Sequence, residues 1–139
     1  MKDLLNNYNA QNKFGQLLDM DYQIISEGEI EYKMKIKAEH IAINNTAHGG
    51  CIAGMMDAVL GMAALSKVAN ENKYVATIEF KIDYLNPAKI GDELIGIGTV
   101  IQKGKRLIFA EGKIMCNSAT IAKASGTFTA YPAQKHRQA

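Results

Sequence analysis

Apolar and polar residues alternate in two parts of the chain, residues 29–37 and 77–84. A period of two predicts β-strands that have one face in water. For the second strand the predicted apolar face consists of Ile78, Phe80, Ile82 and Tyr84. Its opposite face is predicted to carry Thr77, Glu79, Lys81 and Asp83.

Four further segments have the composition of strands. Residues 22–26 precede the first alternating segment, with Glu27-Gly28 as the turn of a hairpin. After a break at Asn86-Pro87-Ala88, the remaining strands are predicted over residues 93–102, 106–116 and 120–130. With the helix described next, the order is a hairpin, one helix and four strands. This order predicts an α+β fold in which an antiparallel sheet wraps around one long central helix.

Residues 49–66 form an apolar segment that contains a single charged residue, Asp57. On a helix that starts near Gly50, one stripe recurs at helical spacing and is predicted to pack on the sheet. The stripe consists of Ile52, Met55, Met56, Val59 and Ala63. Asp57 projects away from it, and its helical neighbours Gly54 and Gly61 are small. The face around this acid is therefore predicted to be contacted closely by another surface.

A helix that is apolar on all sides cannot leave one side in water, and one sheet covers only one side. We therefore expect a second copy of the chain to cover the face around Asp57, in a homodimer at least. A membrane span is the other interpretation of so apolar a segment. Its 18 residues, four glycines and central acid favour a buried helix and no membrane partner.

The composition fits one domain over residues 1–139, with an N-terminal helical stretch at 1–19 and a flexible tail at 133–139. Sixteen basic and fourteen acidic residues are spread along the chain, without the basic cluster typical of nucleic-acid binding. The first seven residues lack the apolar core of a secretory signal, so we expect a cytoplasmic protein. Cys51 and Cys116 are predicted to stay reduced and unpaired.

Asp57 and the pair Gly49-Gly50 are the candidate chemical groups of the helix. Burying an unpaired carboxylate is costly, which favours a general base or nucleophile over a structural cap. Glycines at a helix start leave backbone N–H groups open to a ligand oxygen, as in an oxyanion hole. A rise of about 1.5 Å per residue places Asp57 roughly 12 Å from Gly49 on the same helix. A two-fold partner could bring the two groups together.

The sequence resembles a known family in His48-Gly49-Gly50, in Asp57 nine positions after the histidine, and in a following strand with Asn86-Pro87-Ala88. From about His40 to Ala130 the chain is similar to hotdog-fold acyl-CoA thioesterases of the PaaI type, within the 4-hydroxybenzoyl-CoA thioesterase-like superfamily. The resemblance implies a hotdog fold, hydrolysis of acyl-CoA, and a homodimer or a dimer of dimers (a homotetramer). It implies that the Gly49 N–H binds the thioester carbonyl while Asp57 of the opposite subunit attacks or activates water.

The resemblance also assigns supporting residues. Thr77 stands where a Ser or Thr assists the water or the acid, although a strand threonine is equally ordinary. His48 is expected to orient the loop, with direct acid–base chemistry as the alternative. The family commonly has Asn or Gln six residues before this histidine, where this chain has Ala42, so Asn45 is a candidate replacement. Asn45 and its neighbour Asn44 are equally suited to the turn before the helix.

Several interpretations remain open from the residues alone. Cys51 with His48 could form a nucleophilic pair, although core packing is the simpler role. Lys103, Lys105 and Arg106 at a predicted hairpin, together with the Gly50 N–H, could bind coenzyme A phosphates, or the hairpin could be a solvated turn. No motif or histidine spacing indicates a metal or redox cofactor, so the CoA thioester is expected as substrate with no added group.

Three functions are compatible with these patterns. Hydrolysis of acyl-CoA to free acid and CoA is the leading one. A non-catalytic acyl-CoA-binding or regulatory hotdog module is the alternative, favoured if Ala42 marks a lost catalytic group. A hotdog hydratase ranks last, because His40 is the only spare histidine for the Asp-His pair that such a site needs.

Overall fold

A computed structural model describes residues 1–133. The predicted flexible tail, residues 133–139, lies outside the described residues apart from Ala133. Within this range, three α-helices and six β-strands account for most of the residues. They are α1 (Lys2–Gln11), α2 (Lys13–Leu18), β1 (Asp21–Ser26), β2 (Glu29–Lys35), α3 (Gly49–Val68), β3 (Lys73–Tyr84), β4 (Glu93–Lys103), β5 (Leu107–Cys116) and β6 (Ala119–Pro132).

The six strands form one antiparallel sheet in the order β1-β2-β4-β5-β6-β3. Strands β1 and β3 are its two edges, and α3 packs across the inner face. The predicted α+β architecture, an antiparallel sheet around one central helix, is therefore confirmed. Strand β3 begins at Lys73, four residues before the predicted start, because Tyr74, Val75 and Ala76 also pair with β6.

The predicted apolar stripe of α3 packs on the sheet, and each of its members is at most 3% exposed. Glycines of the sheet let the helix approach closely. A Cβ built at Gly98 would lie 2.3 Å from the backbone oxygen of Val59, and one at Gly96 would lie 2.6 Å from a Val59 methyl. The segment Gly49–Glu71 is long and apolar enough to cross a membrane, but 67% of its apolar window is buried. Burial of this kind is what a core helix shows.

A β-bulge in β3 changes the predicted faces of this strand. Register shifts between Thr77 and Glu79, so Ile78 is an extra residue opposite β6. Before the bulge, Thr77 faces α3, and after it Phe80 and Ile82 pack against the core. The prediction that Thr77 and Ile78 lie on opposite faces holds, but their assignment was wrong: Thr77 faces the helix and Ile78 is 54% exposed. Strict alternation fails here because a bulge shifts the period by one residue.

The N-terminal stretch forms α1 and α2, which fold over the face of α3 opposite the sheet. Leu5 and Leu18 are buried there. A Cβ built at Gly54 would lie 3.2 Å from the Phe14 ring and 3.3 Å from Leu18. The close contact predicted at this small-residue face is thus made in part by the same chain. The expectation named only a second copy as the cover, because α2 was not foreseen there; the homodimer itself stays a prediction.

Candidate active site

Asp57 projects from the face of α3 that is turned away from the stripe and meets Thr77 of β3. The Thr77 hydroxyl donates a hydrogen bond of 2.7 Å to Oδ1 of Asp57. Both side chains line a cavity of about 330 Å³. The structure therefore brings together the predicted acid and the predicted hydroxyl, with the second carboxylate oxygen not used in this hydrogen bond.

The walls of this cavity come from three parts of the chain. Small residues of α3 form one side, and aromatic side chains of the sheet and of α1–α2 form the others. They include Gly54, Ala58 and Gly61 of the helix, and Tyr8, Phe14, Tyr74, Phe128 and Tyr131. Burial, with a smaller effect of the nearby Asp57 charge, raises the pKa of Tyr8. The methionines Met55, Met56 and Met62 do not line this cavity; they are at most 2% exposed and belong to the core between the helix and the sheet.

The turn His48-Gly49-Gly50 begins α3. His48 is its N-cap residue, and its Nδ1 accepts a hydrogen bond of 2.7 Å from the Gly50 N–H. An accepting Nδ1 places the proton of a neutral imidazole on Nε2. Within residues 1–133, no hydrogen bond is formed by the Gly49 N–H. Gly49 is therefore the glycine whose N–H is free for a ligand, whereas the Gly50 N–H predicted to bind coenzyme A already has a partner.

Tyr84, which the sequence interpretation left on the apolar face of a strand, contacts this turn. Its hydroxyl donates a hydrogen bond of 2.9 Å to the Gly49 carbonyl. The sequence held one signal for this role: Tyr84 is the last residue of the predicted apolar face and carries a hydroxyl. A tyrosine hydroxyl in such a place usually forms a hydrogen bond.

Asp57 and Gly49 of one chain do not share a cavity. Asp57 lines the cavity beneath α1–α2, whereas Gly49 lines a second one with Tyr84 and Pro87. Eight residues of helix separate them, which is roughly 12 Å at about 1.5 Å per residue. One chain alone therefore keeps the candidate acid and the candidate oxyanion donor apart.

Asn44 and Asn45 both adopt the left-handed conformation, with φ of 53° and 56°. Asparagine tolerates this conformation better than most other non-glycine residues. The turn therefore explains the presence of asparagine at both positions. The Asn45 carbonyl accepts a hydrogen bond from the Ile90 N–H. A catalytic role for the Asn45 amide stays a prediction. Ala42 is exposed and forms a backbone hydrogen bond to Thr46.

Cys51 lies in the first turn of α3 and is half-buried. Burial raises the pKa of its thiol. Because the thiolate is the reactive form, this surrounding disfavours the Cys51–His48 nucleophile, and His48 Nδ1 already accepts from Gly50. Cys51 and Cys116 are both free, as predicted.

The basic hairpin between β4 and β5 lies far from the Gly49 turn of the same chain. Lys103 forms an ion pair of 2.8 Å with Glu71, which follows the C-terminal end of α3. Lys105 and Arg106 form no ion pair with any residue from 1 to 133. Their binding of coenzyme A stays a prediction. Over the same described range, no group of three or more His, Cys, Asp or Glu side chains is placed to hold a metal ion.

Known proteins resemble this chain in sequence and in fold. The family profile described as Thioesterase superfamily matches residues 44–122, which include the Gly49 turn, Asp57 and Thr77. The chain belongs to the Thioesterase superfamily. Among structures, the E. coli PaaI protein from the phenylacetic acid degradation operon has a TM-score of 0.85 at 20% identity, covering 93% of this chain and 91% of that one. The predicted hotdog fold is confirmed, and the likeness to the E. coli PaaI protein is a likeness of fold.

Two further proteins are similar to this chain, one in sequence and one in fold. Human acyl-coenzyme A thioesterase 13 is 30% identical over 82 residues, 59% of this chain and 57% of that protein. A hypothetical thioesterase protein of Streptococcus pneumoniae, solved with coenzyme A, has a TM-score of 0.74 at 19% identity, and the match covers 81% of this chain and 86% of that one. The match thus spans just over half the length of the human relative.

Proposed function

We propose that the protein hydrolyses acyl-CoA thioesters to free acid and CoA. The observation that carries the proposal is the pair of groups the fold presents: a carboxylate oriented by Thr77 in a cavity, and a helix-start glycine whose N–H is free. Carboxylate and oxyanion donor are the two groups that acyl transfer needs. Membership of the Thioesterase superfamily and the name of the human relative support the same chemistry.

The reaction needs few groups. The Gly49 N–H donates to the thioester carbonyl oxygen, which gains negative charge in the tetrahedral intermediate. As a general base, Asp57 takes a proton from water while the water oxygen bonds to the carbonyl carbon. The C–S bond then breaks, and the CoA sulfur receives a proton. As a nucleophile, Asp57 bonds to the carbonyl carbon, the C–S bond breaks and the CoA thiolate leaves and takes up a proton; water then hydrolyses the mixed anhydride to the free acid and the Asp57 carboxylate.

The site is proposed to form between two copies of the chain. Strand β3 is an edge of the sheet, and its exposed Ile78 gives that edge an apolar side chain. Pairing of two such edges about a two-fold axis lays the two α3 helices side by side in opposite directions. In that arrangement Gly49 of one copy lies beside Asp57 of the other, which joins groups that a single chain keeps apart.

The cavity beneath α1–α2 is proposed to take the acyl group, because it begins at Asp57 and its walls are apolar and aromatic. Lys105 and Arg106, which lack ion-pair partners within residues 1–133, are proposed to meet the phosphates of CoA. The coenzyme A bound to the Streptococcus pneumoniae thioesterase supports CoA as the carrier. A cytoplasmic location and the absence of a cofactor remain part of the proposal.

A non-catalytic acyl-CoA-binding module is the second candidate, and the exposed Ala42 favours it. No side-chain amide is available at this position to assist the acid. Tight binding of acyl-CoA without release of thiol over a broad panel would support this candidate.

The experiment is a thiol-release assay over acyl-CoA esters of different acyl groups. Asp57→Asn should lower kcat by about a thousandfold or more while the oligomer stays intact, since the amide can neither accept the proton nor attack. Asp3→Asn, the same change at an exposed acid of α1, is the matched control and should leave kcat unchanged. Full turnover by Asp57→Asn would refute the assignment. Solvent oxygen found in Asp57 after turnover in heavy-oxygen water would identify the nucleophilic role, because water that attacks the Asp57 carbon of the anhydride leaves its oxygen there and the general-base route exchanges no carboxylate oxygen.

A further inference from the structure

Tyr84, at the end of β3, holds the turn that carries the proposed oxyanion donor. Its hydroxyl donates 2.9 Å to the Gly49 carbonyl oxygen. Its ring also covers the glycine, since a Cβ built at Gly49 would lie 3.6 Å from the ring atom Cζ. The proposed reaction as described above gives this residue no role, although it is more than half exposed beside the site.

The peptide between Gly49 and Gly50 is held at both of its polar groups. His48 Nδ1 accepts from its N–H at 2.7 Å, and the Tyr84 hydroxyl donates to its C=O at 2.9 Å. Glycine has wide freedom in φ and ψ, so a Gly-Gly turn has no conformation of its own to rely on. Two side chains from different elements therefore fix this peptide plane. The neighbouring peptide, between His48 and Gly49, is left with its N–H free.

The bulge at Ile78 allows one strand to form both the Tyr84–Gly49 hydrogen bond and the Thr77–Asp57 hydrogen bond. Thr77 and Tyr84 are seven residues apart, and in a regular strand an odd separation places side chains on opposite faces. The extra residue in β3 puts both on the helix side, where Thr77 meets Asp57 and Tyr84 meets Gly49. One strand thus supports both candidate groups of the site.

We propose that Tyr84 is a positioning residue for the oxyanion donor: by fixing the Gly49–Gly50 peptide, it aims the Gly49 N–H at the developing oxyanion. This inference rests on the proposed function. An oxyanion donor acts mainly in the transition state, where small errors of position are costly. Loss of the Tyr84 hydroxyl should therefore lower kcat and leave KM nearly unchanged.

The test compares Tyr84→Phe with the matched control Tyr22→Phe. The Tyr22→Phe variant also loses one hydrogen bond, because the Tyr22 hydroxyl accepts a hydrogen bond of 2.6 Å from Asn9. Tyr22 lines neither the cavity of Asp57 nor that of Gly49. We expect Tyr84→Phe to lower kcat by about tenfold, and Tyr22→Phe to leave it within about twofold of wild type. Binding of an S-alkyl-CoA thioether, which has no carbonyl, is measured alongside and should be unchanged in Tyr84→Phe.

The outcomes separate this inference from the proposed function. Wild-type turnover with an unchanged kcat in Tyr84→Phe would overturn the inference alone. A loss of thioether affinity equal to the loss of kcat would also overturn it, because Tyr84 would then shape the binding surface. An equal fall in kcat for both Phe variants would indicate general loosening and overturn it as well. No thiol release by the wild type on any ester overturns the proposed function, and the inference fails with it.

Discussion

The two faces of α3 both meet small residues, with opposite consequences. On the sheet side the glycines belong to the strands, and Gly98 lets the strand touch the helix backbone at Val59. On the other side the small residues belong to the helix, and they border a cavity of about 330 Å³. A strand glycine lets the helix backbone come close, so the sheet and the helix pack without a gap. A helix glycine leaves a space in front of the helix, because the aromatic side chains that form the opposite wall belong to other elements. The first face holds the fold together, and the second carries the proposed site.

The largest effect is expected at the sheet face. Gly98→Ala should lower the free energy of unfolding by about 3 kcal/mol or more, because the new Cβ would lie 2.3 Å from a backbone oxygen that cannot move aside. Urea denaturation measures the loss. Gly104→Ala, whose Cβ would lie 3.4 Å from the nearest atom, is the control and should change stability little. Equal stability of the two variants would show that the helix and the sheet are not in close contact.

On the cavity face, Thr77→Val should act on catalysis. It removes the 2.7 Å hydrogen bond to Asp57 while keeping the shape of the side chain, so kcat should fall by about tenfold. Steady-state kinetics give the result. Thr127→Val removes a 2.6 Å hydrogen bond to Glu79 on the outer face of the sheet and should leave kcat unchanged. An unaltered kcat in Thr77→Val would remove Thr77 from the site.

Gly61→Ala tests whether the cavity face of α3 has space for an added methyl group. Its Cβ would make an ordinary contact of 3.4 Å with the Phe128 ring. Replacing a helix-interior glycine by alanine should therefore raise the free energy of unfolding by about 0.5–1 kcal/mol, opposite in sign to the change in Gly98→Ala. The methyl group enters the proposed acyl pocket, so KM should rise. A strong loss of stability would mean that this face is packed as tightly as the other.

The smallest effect concerns the ion pair between Asp19, at the C-terminal end of α2, and Lys37. The hydrogen bond from Lys37 lowers the pKa of Asp19 below its unfolded value. The contribution of the ion pair to stability is therefore present above about pH 4, and it is lost as the pH falls through the lowered pKa of Asp19 in the folded protein. Lys37→Met should lower Tm slightly at neutral pH, and the difference should vanish in acid. A difference independent of pH would exclude the ion pair as its cause.

The features that could be predicted from the sequence are those that depend on the spacing of apolar residues and on composition. The apolar stripe of α3 and the order of the strands along the chain were accessible in this way. The role of Thr77 beside Asp57 came instead from the family resemblance, because the alternation put Thr77 on the wrong face. The bulge at Ile78 was missed because a single extra residue leaves no compositional signal and shows only in the pairing with β6. The role of α2 was missed for a related reason: its contact with Gly54 joins segments about forty residues apart in the chain. Tyr84 was seen as an apolar residue and not as a donor.

The central claim is that Gly49 of one copy works with Asp57 of another. It is tested most directly in a heterodimer that joins one Asp57→Asn chain with one Gly49→Pro chain. The proline removes the backbone N–H at the first helical position, where proline is well accepted. His48 already has the extended backbone that a following proline requires, with φ −60° and ψ 138°. Each variant alone should be inactive. Heterodimers isolated by two affinity tags should regain about half of the wild-type kcat per dimer, since one of two shared sites is intact. Heterodimers as inactive as the parents would show that each chain uses its own pair and would contradict the account.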